Sequence, residues 1–169
     1  GLQDNNGIFN TLLALGDTHR MTGGFDRAVK RYSGAIELAM NIKSPVRAAD
    51  AMVGMGLSLR AQGDWKGALK NIGRAKNLYL KKDDREGIAF TLWAMAGTFR
   101  IKGDIKETLK TYREARKFFK SLKDVHGNGY CLCGLGGASR IAGLFRDALK
   151  YYVAANTLFS GLKDAFGTA

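Results

Sequence analysis

MVGMGLSLRAQGDWKGALKNIGRAKNLY, residues 52–79, holds one copy of the phrase from which the whole chain is written. Met55-Gly56 leads, then Leu59, Arg60, Gly63, Trp65, Ala68, Lys70, Ile72 and Ala75. A shift of forty residues in either direction finds the phrase again, and the arginines fall in register at Arg20, Arg60, Arg100 and Arg140. Each is followed by a glycine (Gly23, Gly63, Gly103, Gly143) and then a bulky apolar residue (Phe25, Trp65, Ile105, Phe145). The small residues Ala28, Ala68, Thr108 and Ala148 come next, then Lys30, Lys70, Lys110 and Lys150. A fixed period of this size marks a stack of supersecondary units, because one unit cannot bury its apolar face alone.

Each copy reads as two antiparallel helices, A and B. Helix A of the second copy is expected to start at Ser44-Pro45, where serine caps free amides and proline sits in the first turn. Asp4, Asp84, Asp124 and Asp164 occupy the matching positions. Helix A is expected to stop before the recurring glycine, which supplies a left-handed residue. Helix B then opens, with Asp64 and Asp104 as caps and Glu107 completing a capping box with Asp104. Within helix A, Leu12, Met52, Leu92 and Leu132 lead the apolar stripe, and Leu15, Met55, Met95 and Leu135 follow three residues later. Tyr32, Ile72, Tyr112 and Tyr152 belong to the core stripe of helix B, while the lysine column is a solvated ridge.

The reading is therefore all-α: eight helices in four helix-turn-helix repeats, approximately 4–43, 44–83, 84–123 and 124–163 of a single domain. Residues 164–169 would start a further repeat. Gly1-Leu2-Gln3-Asp4 with Gly7 matches Gly161-Leu162-Lys163-Asp164 with Gly167. Both termini thus fall in the same inter-repeat junction, and the chain is expected to be an excerpt of a longer array.

Here the residues resemble a known family. Leu15-Gly16, His19, Gly23, Phe25, Ala28, Tyr32 and Ala35 look like the tetratricopeptide-repeat signature, which the other three copies repeat. The forty-residue period resembles the long-helix subclass of kinesin light chains and of the adaptors named for Leu-Gly-Asn repeats. It differs from the latter in having Asp17, Leu57, Gly97 or Gly137 where they have asparagine. The resemblance implies a right-handed superhelix whose A helices line a concave face, and it implies no catalytic activity.

That face would carry Asn10, Asp50, Phe90 and Tyr130; Leu13, Val53, Trp93 and Cys133; Asp17, Leu57, Gly97 and Gly137; and the four arginines. Phe90, Trp93 and Tyr130 are the expected apolar anchor for a partner side chain. Arg20, Arg60, Arg100 and Arg140 read two ways. They can recognise carboxylates, or they can complement the helix C-terminus, with Asp64 and Asp104 lying four residues beyond two of them. Like charges about 10 Å apart repel by only ~0.4 kcal/mol in water, so the column is tolerable either way.

The 169 residues carry a net charge of +12, which favours acidic partners. Much of the excess lies between Lys102 and Lys123. A protein or peptide segment with acidic and apolar residues is the expected ligand. Nucleic acid on the basic outer helices is the alternative, and self-association through the array ends a third. Gly54-Met55-Gly56 and Gly134-Leu135-Gly136 fall inside helix A and complete no dinucleotide fingerprint. His19 and His126 have no metal-ligand spacing nearby, and no catalytic triad or carboxylate pair emerges. No enzyme activity, cofactor or metal is expected. Cys131 and Cys133 cannot bridge along one helix and read as two buried small side chains, which favours a reducing, cytoplasmic setting. No apolar run is long enough to span a membrane.

Overall fold

A computed structural model describes residues 2–166. Eight helices follow one another: α1 (Leu2–Met21), α2 (Phe25–Asn41), α3 (Pro45–Ala61), α4 (Trp65–Leu80), α5 (Arg85–Lys102), α6 (Ile105–Ser121), α7 (Val125–Ile141) and α8 (Phe145–Phe166). No strand occurs among the described residues, and the array is all-α. The chain forms two compact units, residues 1–87 and 88–169.

The A-to-B turns are made as the glycines require. Gly23, Gly63, Gly103 and Gly143 take φ of 75–85°, a region that an L side chain rarely enters. At each, the next amide reaches back to close the helix: Asp64 N–H donates to the Leu59 carbonyl at 2.9 Å, and Gly63 N–H to that of Arg60 at 3.0 Å. The arginine column thus stands at the last turn of helix A, where its own carbonyls are already occupied.

The B-to-A turns repeat this hydrogen bonding without glycine. Lys43, Asp83 and Lys123 sit at φ of 53°, 51° and 58°. A side chain in that region costs about 1 kcal/mol. Lys43→Gly and Lys123→Gly are each expected to raise stability by roughly 0.5–1 kcal/mol, as read from urea midpoints. An unchanged or lowered midpoint would mean that the lysine stems contribute packing worth more than the backbone relief.

Caps follow the sequence in part. Asp64, Asp84, Asp104 and Asp124 each accept the amide three residues on, at 2.8–3.2 Å. Ser44 stands at the cap of α3 but makes no side-chain bond there, and Pro45 occupies the first turn as expected. The capping box at Asp104 is half formed: the Glu107 carboxylate turns to Lys110 at 3.5 Å, and the Asp104 amide bonds the Phe99 carbonyl instead. Asp4 lies inside α1, which starts at Leu2. At the other end α8 runs unbroken through position 164 to Phe166, and residues 167–169 lie outside the described residues.

Packing rests on aromatic rings set against bare helix backbone. In the first unit the ring of Tyr32, wholly buried, lies between α1 and α3. A Cβ added at Gly54 would stand 2.4 Å from that ring, and one at Gly16 2.7 Å. In the second unit Tyr112 covers Gly134 and Phe119 covers Gly127, where added Cβ atoms would stand 2.4 and 2.2 Å away. The small residues of helix A are therefore docking surfaces for the middle and last turns of helix B. Tyr152 departs from the core expectation and is 39% exposed, because no further helix covers α8 among the described residues. The lysine column at positions 30, 70, 110 and 150 is exposed.

Candidate functional site

Asp124 sets the site. Its carboxylate accepts the Gly127 amide at 2.8 Å and fixes the first turn of α7. Because Gly127 has no side chain, the ring of Phe119, at the end of α6, lies directly on that turn. Above this floor α5 presents Phe90 and Trp93, stacked with centroids 5.4 Å apart and planes at 23°. On α7, His126 and Tyr130 are one turn apart, and both rings are backed by Phe159 of α8 at 6.5 and 5.6 Å. Together Phe90, Trp93, Phe119, His126 and Tyr130 enclose an open pocket of about 360 Å³, with Asp124 and Gly127 completing its lining. That volume, at the small end of the range for ligand pockets, is enough to take one bulky side chain.

The three aromatics expected from sequence are thus brought to one pocket. Phe119, Asp124, His126 and Gly127 were not among the residues expected there. A signal for them exists: Phe119 recurs as Tyr79 and Phe159, and Gly127 as Gly87. Where position 47 carries arginine in place of this glycine, position 39 carries alanine in place of the aromatic. The ring-on-glycine pair is legible as a coupled alternation.

The arginine column divides. Arg20 is engaged within the first unit: its Nη2 donates to Asp17 Oδ1 at 3.3 Å and its Nε to the Tyr32 hydroxyl oxygen at 3.3 Å. The Tyr32 hydroxyl donates to the same Asp17 oxygen at 2.7 Å. Burial, and then that bond to a carboxylate, push the Tyr32 phenol up to about 12. Arg60 is half-buried on α3. Arg100 and Arg140 are exposed and form no ion pair or side-chain hydrogen bond among the described residues. The expected link from Arg100 to Asp104 does not form: that carboxylate holds the Glu107 amide and Lys102 Nζ, the latter at 3.3 Å. The Glu107 amide, then Lys102, holds the Asp104 carboxyl below its ordinary range.

Other expected positions are occupied internally. Asp50 accepts the Tyr79 hydroxyl at 2.5 Å, and burial raises its carboxyl against the opposing pull of that bond. Val53 and Leu57 are buried, contrary to their expected place on an open stripe. Asn10 is exposed on α1. Cys131 is buried, and burial pushes its thiol up to about 12, so it stays protonated. Cys133 is exposed, which corrects the expectation of two buried cysteines: the two side chains leave α7 on opposite sides. Among the described residues no three His, Cys, Asp or Glu side chains converge to hold a metal ion. No helix there is long and apolar enough to cross a membrane.

Residues 47–121 match the family model described as tetratricopeptide repeat. Those residues belong to the tetratricopeptide-repeat family. No curated protein sequence matches the chain. Among solved structures, this chain resembles the TPR domain of Arabidopsis FLU (22% identity, TM-score 0.66, 69% of this chain and 98% of that one). It also resembles BtubC (BKLC) from P. vanneervenii (13%, TM-score 0.79, 92% of this chain and 64% of that one). A third likeness is to a putative kinesin light chain of Podosopora anserina with nearly identical TPR-like repeats (12%, TM-score 0.69, 91% and 76%). At these identities the likeness is one of fold. Tetratricopeptide repeats generally mediate protein–protein interaction, and proteins of this kind are generally non-catalytic scaffolds.

Proposed function

We propose that this chain is a non-catalytic interaction scaffold whose second unit holds an extended or helical peptide segment of a partner protein. A bulky apolar side chain of the peptide enters the Phe90–Trp93–Tyr130 pocket, and carboxylates one to three residues away meet Arg100 and Arg140. One observation supports this more than any other. The pocket and the two exposed arginines share helices α5 and α7, with bare Gly97 and Gly137 between them. Arg100 stands two turns beyond Trp93, about 10 Å along the axis, which is the reach of a short peptide. A guanidinium gives such a carboxylate paired, charge-assisted hydrogen bonds.

Phage-displayed peptides selected against the chain test this directly. Selected sequences are expected to carry aspartate or glutamate flanking a Phe, Trp, Leu or Met. Trp93→Ala is expected to weaken the best of them by at least tenfold, as an anchor residue does. Arg100→Glu with Arg140→Glu is expected to weaken it as much and to reduce its salt dependence. Peptides without acidic residues, or affinity indifferent to Trp93, would remove the reading. Lysate capture that vanishes with nuclease and ignores both arginines would instead favour the exposed lysines of α6 as a nucleic-acid surface.

A further inference from the structure

Five cations stand in line along α6. Lys106, Lys110, Arg113, Lys117 and Lys120 follow at steps of four, three, four and three residues. They therefore share an arc of roughly 80° and extend over roughly 20 Å of the helix. All five are exposed, opposite the packed face of Thr108, Tyr112, Ala115 and Phe119. Lys110 meets the Glu107 carboxylate at 3.5 Å, and the other four form no ion pair among the described residues. The repeat does not ask for this line. Its last three positions are Ser33, Glu37 and Met40 in α2, and Gly73, Asn77 and Leu80 in α4. Like charges three and four residues apart on a helix repel, so the line works against α6.

The surroundings of the line select what it faces. No large apolar side chain of α6 is exposed, so a protein partner finds no apolar centre to bury. Nor does α6 expose a ring on which the bases of a single strand could stack. A helix entering a duplex groove has a phosphate row on each side and needs cations on both flanks. Here one flank carries Glu107 and Glu114. On the other, Arg116 is half-buried and its Nε donates to Asn128 Oδ1 at 2.9 Å. A flat anionic surface makes none of these demands. It meets only a narrow line of a helix, and long side-chain stems carry the charges to it. Glu107 and Glu114, about a quarter-turn round the helix, stay clear of that plane.

We propose that the exposed face of α6 lies on a membrane surface rich in anionic lipid headgroups. Helices with about four to eight Lys or Arg are the kind that such surfaces attract. The helix rests on the headgroups without entering them, because Tyr112 and Phe119 are already packed on α7. The attraction is electrostatic, is screened beyond about 10 Å at ~0.1 M salt, and gains about fivefold in affinity per cation. The line faces away from Phe119 and the pocket it floors, so one chain can hold a peptide while it lies on a membrane.

Co-sedimentation of the 169-residue chain with vesicles tests this, using phosphatidylcholine alone or mixed with phosphatidylserine. Binding is expected only with phosphatidylserine present, and to fall at least ~10-fold between about 0.1 and 0.5 M salt. Lys110→Gln with Arg113→Gln and Lys117→Gln is expected to weaken it about a hundredfold. Lys30→Gln with Lys70→Gln and Lys150→Gln removes the same charge from three other helices, and is expected to weaken it by less than about threefold. All six positions are exposed, and circular dichroism verifies the fold. Trp93→Ala is expected to bind vesicles as the wild type does, which separates this surface from the peptide pocket. No binding to phosphatidylserine vesicles, or equal binding to both kinds, overturns the proposal. Equal effects of the two triple substitutions overturn it as well, since net charge alone would then explain the attraction. DNA that binds more tightly than the anionic vesicles, and is lost with the α6 substitutions, would make the line a nucleic-acid surface instead.

Discussion

Gly134→Val is expected to lower the stability of the chain by about 3 kcal/mol, a fall in melting temperature of roughly 6–12 °C. The reason is geometric. A Cβ at position 134 would stand 2.4, 2.6 and 2.7 Å from the Cζ, Cε1 and Cε2 atoms of Tyr112. Tyr112 is only 5% exposed and has no free space into which to swing. The ring must leave its rotamer or α7 must move off α6, and either loosens the second unit. Gly134→Ala is the milder form, since alanine returns about 1 kcal/mol of helix propensity that valine does not. Tyr112→Leu in the valine background is expected to recover part of the loss, because the two changes act on one contact and are not additive. Urea unfolding of the three variants measures this. Additive effects of the two substitutions would show that the ring and the glycine do not constrain one another.

Tyr32→Ala is expected to lose about 4 kcal/mol, as large-to-small changes at fully packed aromatics do. Tyr32 is 0% exposed, and its ring fills the space over both Gly16 and Gly54. Tyr32→Phe keeps the ring and removes the bond to Asp17, so it is expected to lose only about 1 kcal/mol near neutral pH. The two variants separate further in alkali. The folded phenol, raised to about 12, holds its proton more tightly than the unfolded one at 10.0. Its contribution is therefore complete below pH 10 and is lost as the pH climbs from 10 towards 12, by at most ~1.4 kcal/mol per pH unit. The wild type is expected to lose stability over that window, and Tyr32→Phe to lose less. Some decline remains in the variant because burial and the bond to Asp50 raise Tyr79 as well. Parallel curves for the two proteins would mean that the Tyr32 hydroxyl is not held by Asp17 in solution.

Much of the fold was written plainly in the sequence because its signals are local. A glycine forced to positive φ, an aspartate three residues before an amide, and a stripe at helical spacing each declare themselves within a few residues. Ser44 and Glu107 show where such local reading overreaches. A residue of the right type at a cap completes its bond only when no neighbour already satisfies the same group, as the Phe99 carbonyl does for the Asp104 amide.

The candidate site was legible for a different reason. Phe90, Trp93 and Tyr130 break the repeat, standing where other copies carry Asn10, Asp50, Leu13 or Val53. Departures from a period are easy to see. Phe119 and Gly127 were harder, because they obey the period and look like core; their part in the pocket comes from how far the bare turn lets the ring slide forward. Val53 and Leu57 failed as open-face residues for the converse reason. Helical spacing assigns a direction to a side chain but not the depth to which neighbouring helices cover it.

The first repeat also contains, within its own chain, the kind of contact that a partner would bring to the fourth. Asp17 lies three residues before Arg20 and clasps it, with Tyr32 as the third member. Gly137 stands at the corresponding place before Arg140, and no carboxylate among the described residues closes the clasp there. The residue three before the arginine thus acts as a built-in latch, shut in one repeat and missing in another. An aspartate installed by Gly137→Asp would compete for Arg140 with any carboxylate arriving from outside. Between the first and fourth repeats, one position on an unchanged frame separates a guanidinium clasped from within from one left exposed.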